Sequence, residues 1–348
     1  MEARHGRDRT LWKEKDIFEA MDIDETTGSE ALGWADRIEE AHERIKPLIV
    51  RTELDLAPDV APSFGGKLGF KLEQRQQTGS FKLRGAANRI AVLTPSEAAA
   101  GVTTSSMGNH GLGVAFAARE AGVPVEVFVS PHVSADRLER MRALDAVLRV
   151  VGTSVLDAEV AARRAARESG KVYISPYNDP DVVAGQGTIG LELLQQAPDL
   201  DAVFVAVGGG GLIGGIGAYL KARAPDVEVV GCWPENAPAL HECLRRGRIV
   251  EVPERPTLSE STAGGIEDGS ITFDLAKDVV DRSVMVSEEE ILTAMRLLRE
   301  RRDWWVEGSA GVALAAFMRH REEYDGRTVA VVLCGGNISP EVRALIAG

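Results

Sequence analysis

The sequence predicts an α/β protein built on parallel sheets, and three observations predict it. Short strand-like runs alternate with helical segments along nearly the whole chain. The helical segments between them are rich in alanine, the pattern of strands covered by helices. Several strands run into glycines or small polar residues just before a helix, and ligands of open α/β sheets sit beyond the carboxyl ends of strands.

The elements follow in order. Residues 1–30 are charged and weakly periodic, with Leu11, Trp12, Ile17, Phe18 and Met21 as anchors, and are expected to form a mobile arm. Trp34, Ile38, Ala41, Ile45 and Leu48 recur at helical spacing and predict an amphipathic helix ending before Arg51. Strands are expected at GFKLE (69–73), GVTTS (101–105), VEVFVS (125–130), VLRVVG (147–152), KVYIS (171–175), AVFVAVG (202–208), VEVVGC (227–232) and TVAVVLCGG (328–336). Helices are expected over 111–122, 156–169, 188–197 and 309–320.

Composition narrows the function. With 348 residues, 44% of them hydrophobic, the chain can fill one large or two medium cores. A net charge of −13 argues against nucleic acid or an anionic membrane as partner, leaving a small metabolite as the expected ligand. The longest apolar stretch, AVFVAVGGGGLIGGIGAYL, is glycine-rich and broken by a turn, so no membrane span is expected. No secretory signal is visible, and Cys232, Cys243 and Cys334 form no CxxC pair. Neither a disulfide framework nor a zinc site is suggested, and a cytoplasmic location is expected.

Five segments carry candidate chemistry. In VAVGGGGLIGG a strand runs into Gly208, Gly209, Gly210 and Gly211 and then a helix. Free amides at a helix start make a seat for phosphate, and the lack of a GK[ST] ending disfavours ATP. TTSSMGNHGLG places Ser106, Met107, Gly108, Asn109 and His110 after another strand, where amides can hold a carboxylate and Asn109 can bond a phenolate-like oxygen. His110 there reads as a helix-start residue satisfied by backbone. Gly185, Gln186 and Gly187 open a further helix in AGQGTIGLELL, and Cys334 ends the strand of VVLCGGNIS, either as a small core residue or as a neutral weak donor. TGSFKLRGAANRI sets Lys82 at the start of an apolar helix. It is either a surface lysine on a helix capped by Thr78 or Ser80, with Arg84 and Arg89 beside it on the wet side, or a desolvated nucleophile. A phosphate seat, an amine, an amide for an oxygen substituent and a small group after the last strand together describe pyridoxal 5′-phosphate.

SFKLRG, SSMGNHG, AGQGTIG, GGGGLIGG and CGGN, in this order and spacing, resemble the serine/threonine dehydratase family of pyridoxal-phosphate enzymes, fold type II, over about residues 34–346. The resemblance implies two open parallel-sheet α/β domains with the cofactor in the cleft between them. A large discontinuous domain would take 31–95 and 179–348, and a small one 96–178. It implies Lys82 as Schiff-base lysine and base at Cα, with Phe81 packed on the ring and Asn109 bonding the ring's 3′ oxygen. Gly208 to Leu212 would hold the phosphate, Cys334 would face the pyridine nitrogen, and the amides of Ser106 to His110 would hold the substrate carboxylate. The implied activity is dehydration of L-threonine, L-serine or a related β-hydroxy amino acid to a 2-oxo acid and ammonia, in a homodimer. Because the chain runs only a little past its final strand, no appended allosteric module and no feedback by isoleucine are expected.

Two departures refine this. Serine racemases of the group carry a serine where this chain has Met107, and a thioether donates no proton, so racemisation is not expected as the main activity. Their divalent-cation site would fall on WPENAPAL, where Trp233 and Ala239 replace acidic ligands and only Glu235 is near, so no metal is expected. Other β-substituted substrates, including 3-hydroxyaspartate-like or hydroxyectoine-derived compounds, stay open, as does a non-catalytic pyridoxal-binding protein.

Overall fold

The computed structural model describes residues 33–348, and the arm expected over 1–30 lies outside the described residues. Helix α1 (Trp34–Ile45) buries Ala35, Ile38, Ala41 and Ile45, the expected apolar stripe. Strands β1 (Leu54–Leu56) and β2 (Lys67–Lys71) follow as antiparallel neighbours, then helices α2 (Lys82–Ala91) and α3 (Pro95–Ala100). Strict alternation comes next: β3 (Val102–Ser105), α4 (Asn109–Ala121), β4 (Val125–Val129), α5 (Ala135–Arg142), β5 (Val147–Val150), α6 (Val155–Ser169) and β6 (Val172–Tyr173). The chain continues through α7 (Pro180–Gln196), β7 (Ala202–Ala206), α8 (Gly211–Arg223), β8 (Glu228–Pro234), α9 (Ala239–Arg246) and α10 (Ile271–Val279). It then passes through β9 (Arg282–Val286), α11 (Glu288–Arg302), α12 (Gly308–His320), β10 (Thr328–Val332) and α13 (Pro340–Ala347).

The strands form two sheets. One has six strands in the order β1-β2-β10-β7-β8-β9, parallel except for β1, and the other has four in the order β5-β4-β3-β6, all parallel. Every expected strand is present. The two that sequence reading missed are edge strands: β1 is only three residues long, and β9 begins with a half-buried arginine and an exposed serine rather than an apolar run. The central strands β7 and β10 are buried at every position, as helices on both faces require. Leu83, Ala86, Ala87 and Ile90 of α2 share a core with Val102, Val125 and Val127 of the four-stranded sheet and with Leu112 and Val114 of α4.

Two local expectations are corrected. Gly185, Gln186 and Gly187 do not open a helix but lie inside α7, which starts at Pro180. The reason is the Asp179–Pro180 pair, because the Asp179 carboxylate accepts from the amides of Asp181 (2.8 Å) and Val182 (3.1 Å), and proline fits the first helical position. The glycines serve close approach instead: a Cβ on Gly185 would sit 2.5 Å from the Arg84 carbonyl oxygen and one on Gly187 2.9 Å from that of Gly215. Nor does Thr78 or Ser80 cap α2. The cap position is Phe81, already helical in backbone and with no side-chain bond, because its amide donates to the Cys334 carbonyl (3.1 Å) and Ser80 bridges Gly335. The hydroxyls of Thr78 and Ser80 are left buried with no partner among the described residues.

Candidate active site

The first turn of α2 places Lys82 at the cleft between the sheets. Its Nζ donates to the Pro176 carbonyl (2.7 Å) and lies 5.2 Å from the centre of the Phe81 ring. Although the residue keeps some accessible surface, the amine is enclosed, and desolvation pulls it down to about 8 against the raising effect of Cys334 and Glu307. Arg84, two residues on, is not on a wet side. It is fully buried and pairs with both Glu73 and Glu192 at 2.8 Å, while Lys71 reaches Glu192 at 2.5 Å. This charge cluster holds the turn from which Lys82 projects.

Pro176 and Tyr177 join Lys82 to the glycine loop. A Cβ on Gly209 would fall 2.4 Å from the Tyr177 ring, and one on Gly208 2.8 Å from the Cα of Thr262. Gly210 has φ of +84° and Gly211 lies against the Tyr177 backbone, so the loop is pressed between neighbours on its packed side. On its other side, the amides from Gly208 through Leu212 to Ile213 donate to no protein acceptor among the described residues. With the start of the thirteen-residue α8, they make an open seat for a phosphate-sized anion.

The segment after β3 faces the same space. The Ser106 amide is taken by the Phe128 carbonyl (3.2 Å) and that of Gly108 by the Ser106 hydroxyl (3.1 Å). The expected carboxylate seat therefore narrows to Met107, Asn109 and His110, whose amides have no protein acceptor among the described residues. His110 is a buried structural histidine, held by burial at about 3 and bonded through Nε2 to the Ile174 carbonyl at 3.1 Å. The Met107 sulfur accepts from the Ser130 hydroxyl (2.9 Å).

Glu307 is the member that sequence reading missed. Its carboxylate accepts from Asn109 Nδ2 (2.8 and 2.9 Å) and from the Asn337 amide (2.9 Å), while Asn337 Nδ2 donates to Asn109 Oδ1 (2.7 Å). Burial raises it above the usual carboxylate range. The signal in the sequence was an acid in cap position just before an apolar helix, and the side chain makes no cap bond because it turns to Asn109. Cys334 is buried and donates to the Ser309 hydroxyl (3.1 Å), and desolvation first and Glu307 second push its thiol up to about 12, so it is neutral.

The arrangement brings together an enclosed amine, an anion seat, a second set of free amides and a neutral thiol, and these residues fit pyridoxal 5′-phosphate. In WPENAPAL, where the resemblance would put a cation site and none was expected, Trp233 and Ala239 are buried and Glu235 lies 3.8 Å from Arg319. No group of three or more metal-ligating side chains occurs among the described residues, and no described helix is long and apolar enough to cross a membrane.

Comparison with known proteins agrees with this geometry. The family model for "pyridoxal-phosphate dependent enzyme" matches residues 45–335. L-threonine ammonia-lyase of Thermotoga maritima is 40% identical over 301 residues, covering 86% of this chain and 75% of that protein. The L-threonine ammonia-lyase of Geobacter sulfurreducens is 39% identical over 310 residues, covering 89% and 77%. Among solved structures, maize serine racemase superimposes with a TM-score of 0.85 at 30% identity, covering 89% of this chain and 95% of that one. The chain thus belongs to the pyridoxal-phosphate dependent enzymes of fold type II, in the group of threonine ammonia-lyases and serine racemases, and pyridoxal 5′-phosphate is its cofactor.

Proposed function

We propose that the protein converts a β-hydroxy amino acid such as L-threonine or L-serine to a 2-oxo acid and ammonia, the water lost in elimination being taken up again on hydrolysis, with Lys82 as catalytic base. The observation that carries this reading is the enclosed Lys82 amine, depressed to about 8 and set between two groups of free amides. When bound, pyridoxal 5′-phosphate supplies an electron sink for the pair left at Cα. Gly208 to Leu212 would hold its phosphate, Phe81 would pack on its ring, and Asn109, steadied by Glu307 and Asn337, would bond its 3′ oxygen. Cys334 would face the ring nitrogen as a neutral thiol and donate no full proton to it, which would leave the sink shallow and favour elimination over transamination.

The amides of Met107, Asn109 and His110 orient the substrate carboxylate, and Lys82 Nζ takes the proton from Cα. The β-hydroxyl departs with a proton, and the enamine so formed takes up water to release 2-oxo acid and ammonia. Racemisation is the second reading, and Met107 disfavours it: the thioether has no proton to give, and the nearby Ser130 hydroxyl is engaged on its sulfur. The same proposal includes a small domain over 96–178 that carries the carboxylate seat, a homodimer, and a cytoplasmic location. The location is supported by three buried, unpaired cysteines.

The test is a panel of β-hydroxy amino acids with 2-oxo acid and ammonia quantified together. The expected result is equimolar release by the wild type and loss of at least about a thousandfold in Lys82→Ala, the scale of removing a catalytic base. Failure of every substrate to yield 2-oxo acid overturns the reading, and size-exclusion with light scattering checks the dimer.

A further inference from the structure

Four side chains stand in a row at the cleft, and the polarity of the row can run only one way. Arg140 of α5, half-buried, donates from Nη2 to Asn337 Oδ1 (2.9 Å). Asn337 Nδ2 donates to Asn109 Oδ1 (2.7 Å), and Asn109 Nδ2 donates to both oxygens of Glu307 (2.8 and 2.9 Å). A guanidinium offers donors only, and an ionised carboxylate offers acceptors only. An asparagine amide offers both and can be turned over, but not between such ends. Reversing Asn109 would set its Oδ1 against the Glu307 carboxylate and its Nδ2 against that of Asn337.

Each end of the row is reinforced. The Asn337 backbone amide also donates to Glu307 (2.9 Å), so the carboxylate is used as an acceptor throughout. The Thr78 carbonyl accepts from Asn337 Nδ2 (2.9 Å) and so backs up Arg140 in fixing that amide. Two glycines leave room for the row: a Cβ on Gly79, whose φ is +78°, would fall 2.8 Å from Asn337 Oδ1, and one on Gly335 2.5 Å from Glu307 Oε1. One hydrogen stays unspent. The two oxygens of one carboxylate subtend too narrow an angle at Asn109 Nδ2 to take a hydrogen each, so they share one and the other points elsewhere. An N–H directed at an oxygen favours the ionised form of that oxygen, whereas a reversed Asn109 would present its carbonyl and demand the protonated form.

We propose that Arg140, Asn337 and Glu307 are positioning residues that fix the sense of the Asn109 amide, so that it meets the cofactor's 3′ oxygen with N–H and holds that oxygen ionised. This rests on Asn109 being the partner of the 3′ oxygen, as proposed for the function, and adds what decides which end of the amide is presented. Glu307 is the stronger determinant, because it touches Asn109 directly and no second acceptor stands behind it among the described side chains. Arg140 acts through Asn337 and shares that task with Thr78.

The test uses apoproteins of the wild type, Glu307→Gln and Arg140→Met. Each is titrated with pyridoxal 5′-phosphate and with 3-deoxypyridoxal 5′-phosphate, which keeps the aldehyde and the phosphate but lacks the 3′ oxygen. The wild type should hold the natural cofactor more tightly than the analogue. Glu307→Gln should lose about tenfold in affinity for the natural cofactor, the worth of a hydrogen bond to a charged oxygen, and less than about twofold for the analogue. Arg140→Met should show a smaller loss, about threefold, confined in the same way to the natural cofactor. At one pH, the bound cofactor in Glu307→Gln should absorb more strongly on the short-wavelength side, where the form with a protonated 3′ oxygen absorbs. Equal losses for the two compounds would show that the row only supports the fold, and a wild-type preference that survives intact in both variants would show that it does not orient Asn109; either overturns the proposal. A wild type that holds both compounds alike removes Asn109 from the 3′ oxygen, and the proposal falls with that assignment. Should Glu307→Gln fail to fold, as seen by thermal unfolding, Arg140→Met decides: a loss confined to the natural cofactor supports the row, and an equal loss or none overturns it.

Discussion

Lys82 needs an environment that takes its proton away, and the enclosure at the mouth of α2 provides it. Because burial lowers its affinity for the proton, the neutral, nucleophilic fraction grows as pH rises through about 8. The rate at which apoprotein takes up pyridoxal 5′-phosphate should rise about tenfold from one pH unit below that value to one above, followed as growth of the protein-bound absorption band. A midpoint near the ordinary lysine value would mean that the amine is solvated. Met107 makes the second expectation at this scale. Met107→Ser restores a hydroxyl beside Cα, so the fraction of residual L-serine converted to its D form should rise several-fold over wild type by chiral chromatography, while pyruvate formation falls. Wild-type D-serine formation as fast as pyruvate would put racemisation first.

At the scale of elements, the buried cluster of Lys71, Glu73, Arg84 and Glu192 ties β2, α2 and α7 together. Arg84, fully buried, pairs with two buried carboxylates, so Arg84→Met should destabilise the apoprotein by about 3 to 5 kcal/mol in urea denaturation, the penalty for leaving buried charges unpaired. Glu192→Gln, which removes one of the charges rather than their common partner, should lose less. How much of this was legible in the sequence depends on where the partners lie. Lys82, the glycine loop and Cys334 could be read because each sits in a contiguous motif at the end of a strand or the start of a helix. Arg84 stood in the same motif but its burial did not show, because its acids come from elsewhere along the chain. Glu307 meets Asn109 across 198 residues, and Arg140 meets Asn337 across 197, distances over which periodicity carries no signal. The start of α7 was misjudged for a different reason: glycines mark both turns and tight helix contacts, and only the packing against Arg84 and Gly215 tells them apart.

For the whole molecule, the parallel-sheet α/β class was predictable from alternation and the division into two sheets from the family resemblance, while the strand order was not, since β10 inserts between β2 and β7. At this scale the expectation concerns metals. Chelators should leave turnover and melting temperature of the holoenzyme within error, because Trp233 and Ala239 stand where hard-cation ligands would be needed. A drop in either, reversed by magnesium or calcium, would locate a site on residues other than these.

The position of β10 also governs the order in which the protein can be born. It pairs with β2 on one side and β7 on the other, yet it is synthesised after both. Until residues 328–332 leave the ribosome, the nascent chain carries two unsatisfied strand edges in what will be the middle of its main sheet, the kind of surface that recruits chaperones or neighbouring nascent chains. The carbonyl that receives the Phe81 amide belongs to Cys334 and arrives later still, so the amine-bearing turn cannot be seated during translation. Cofactor capture is thereby deferred to a nearly finished polypeptide, and ribosome-stalled chains cut short before β10 should emerge colourless and chaperone-bound.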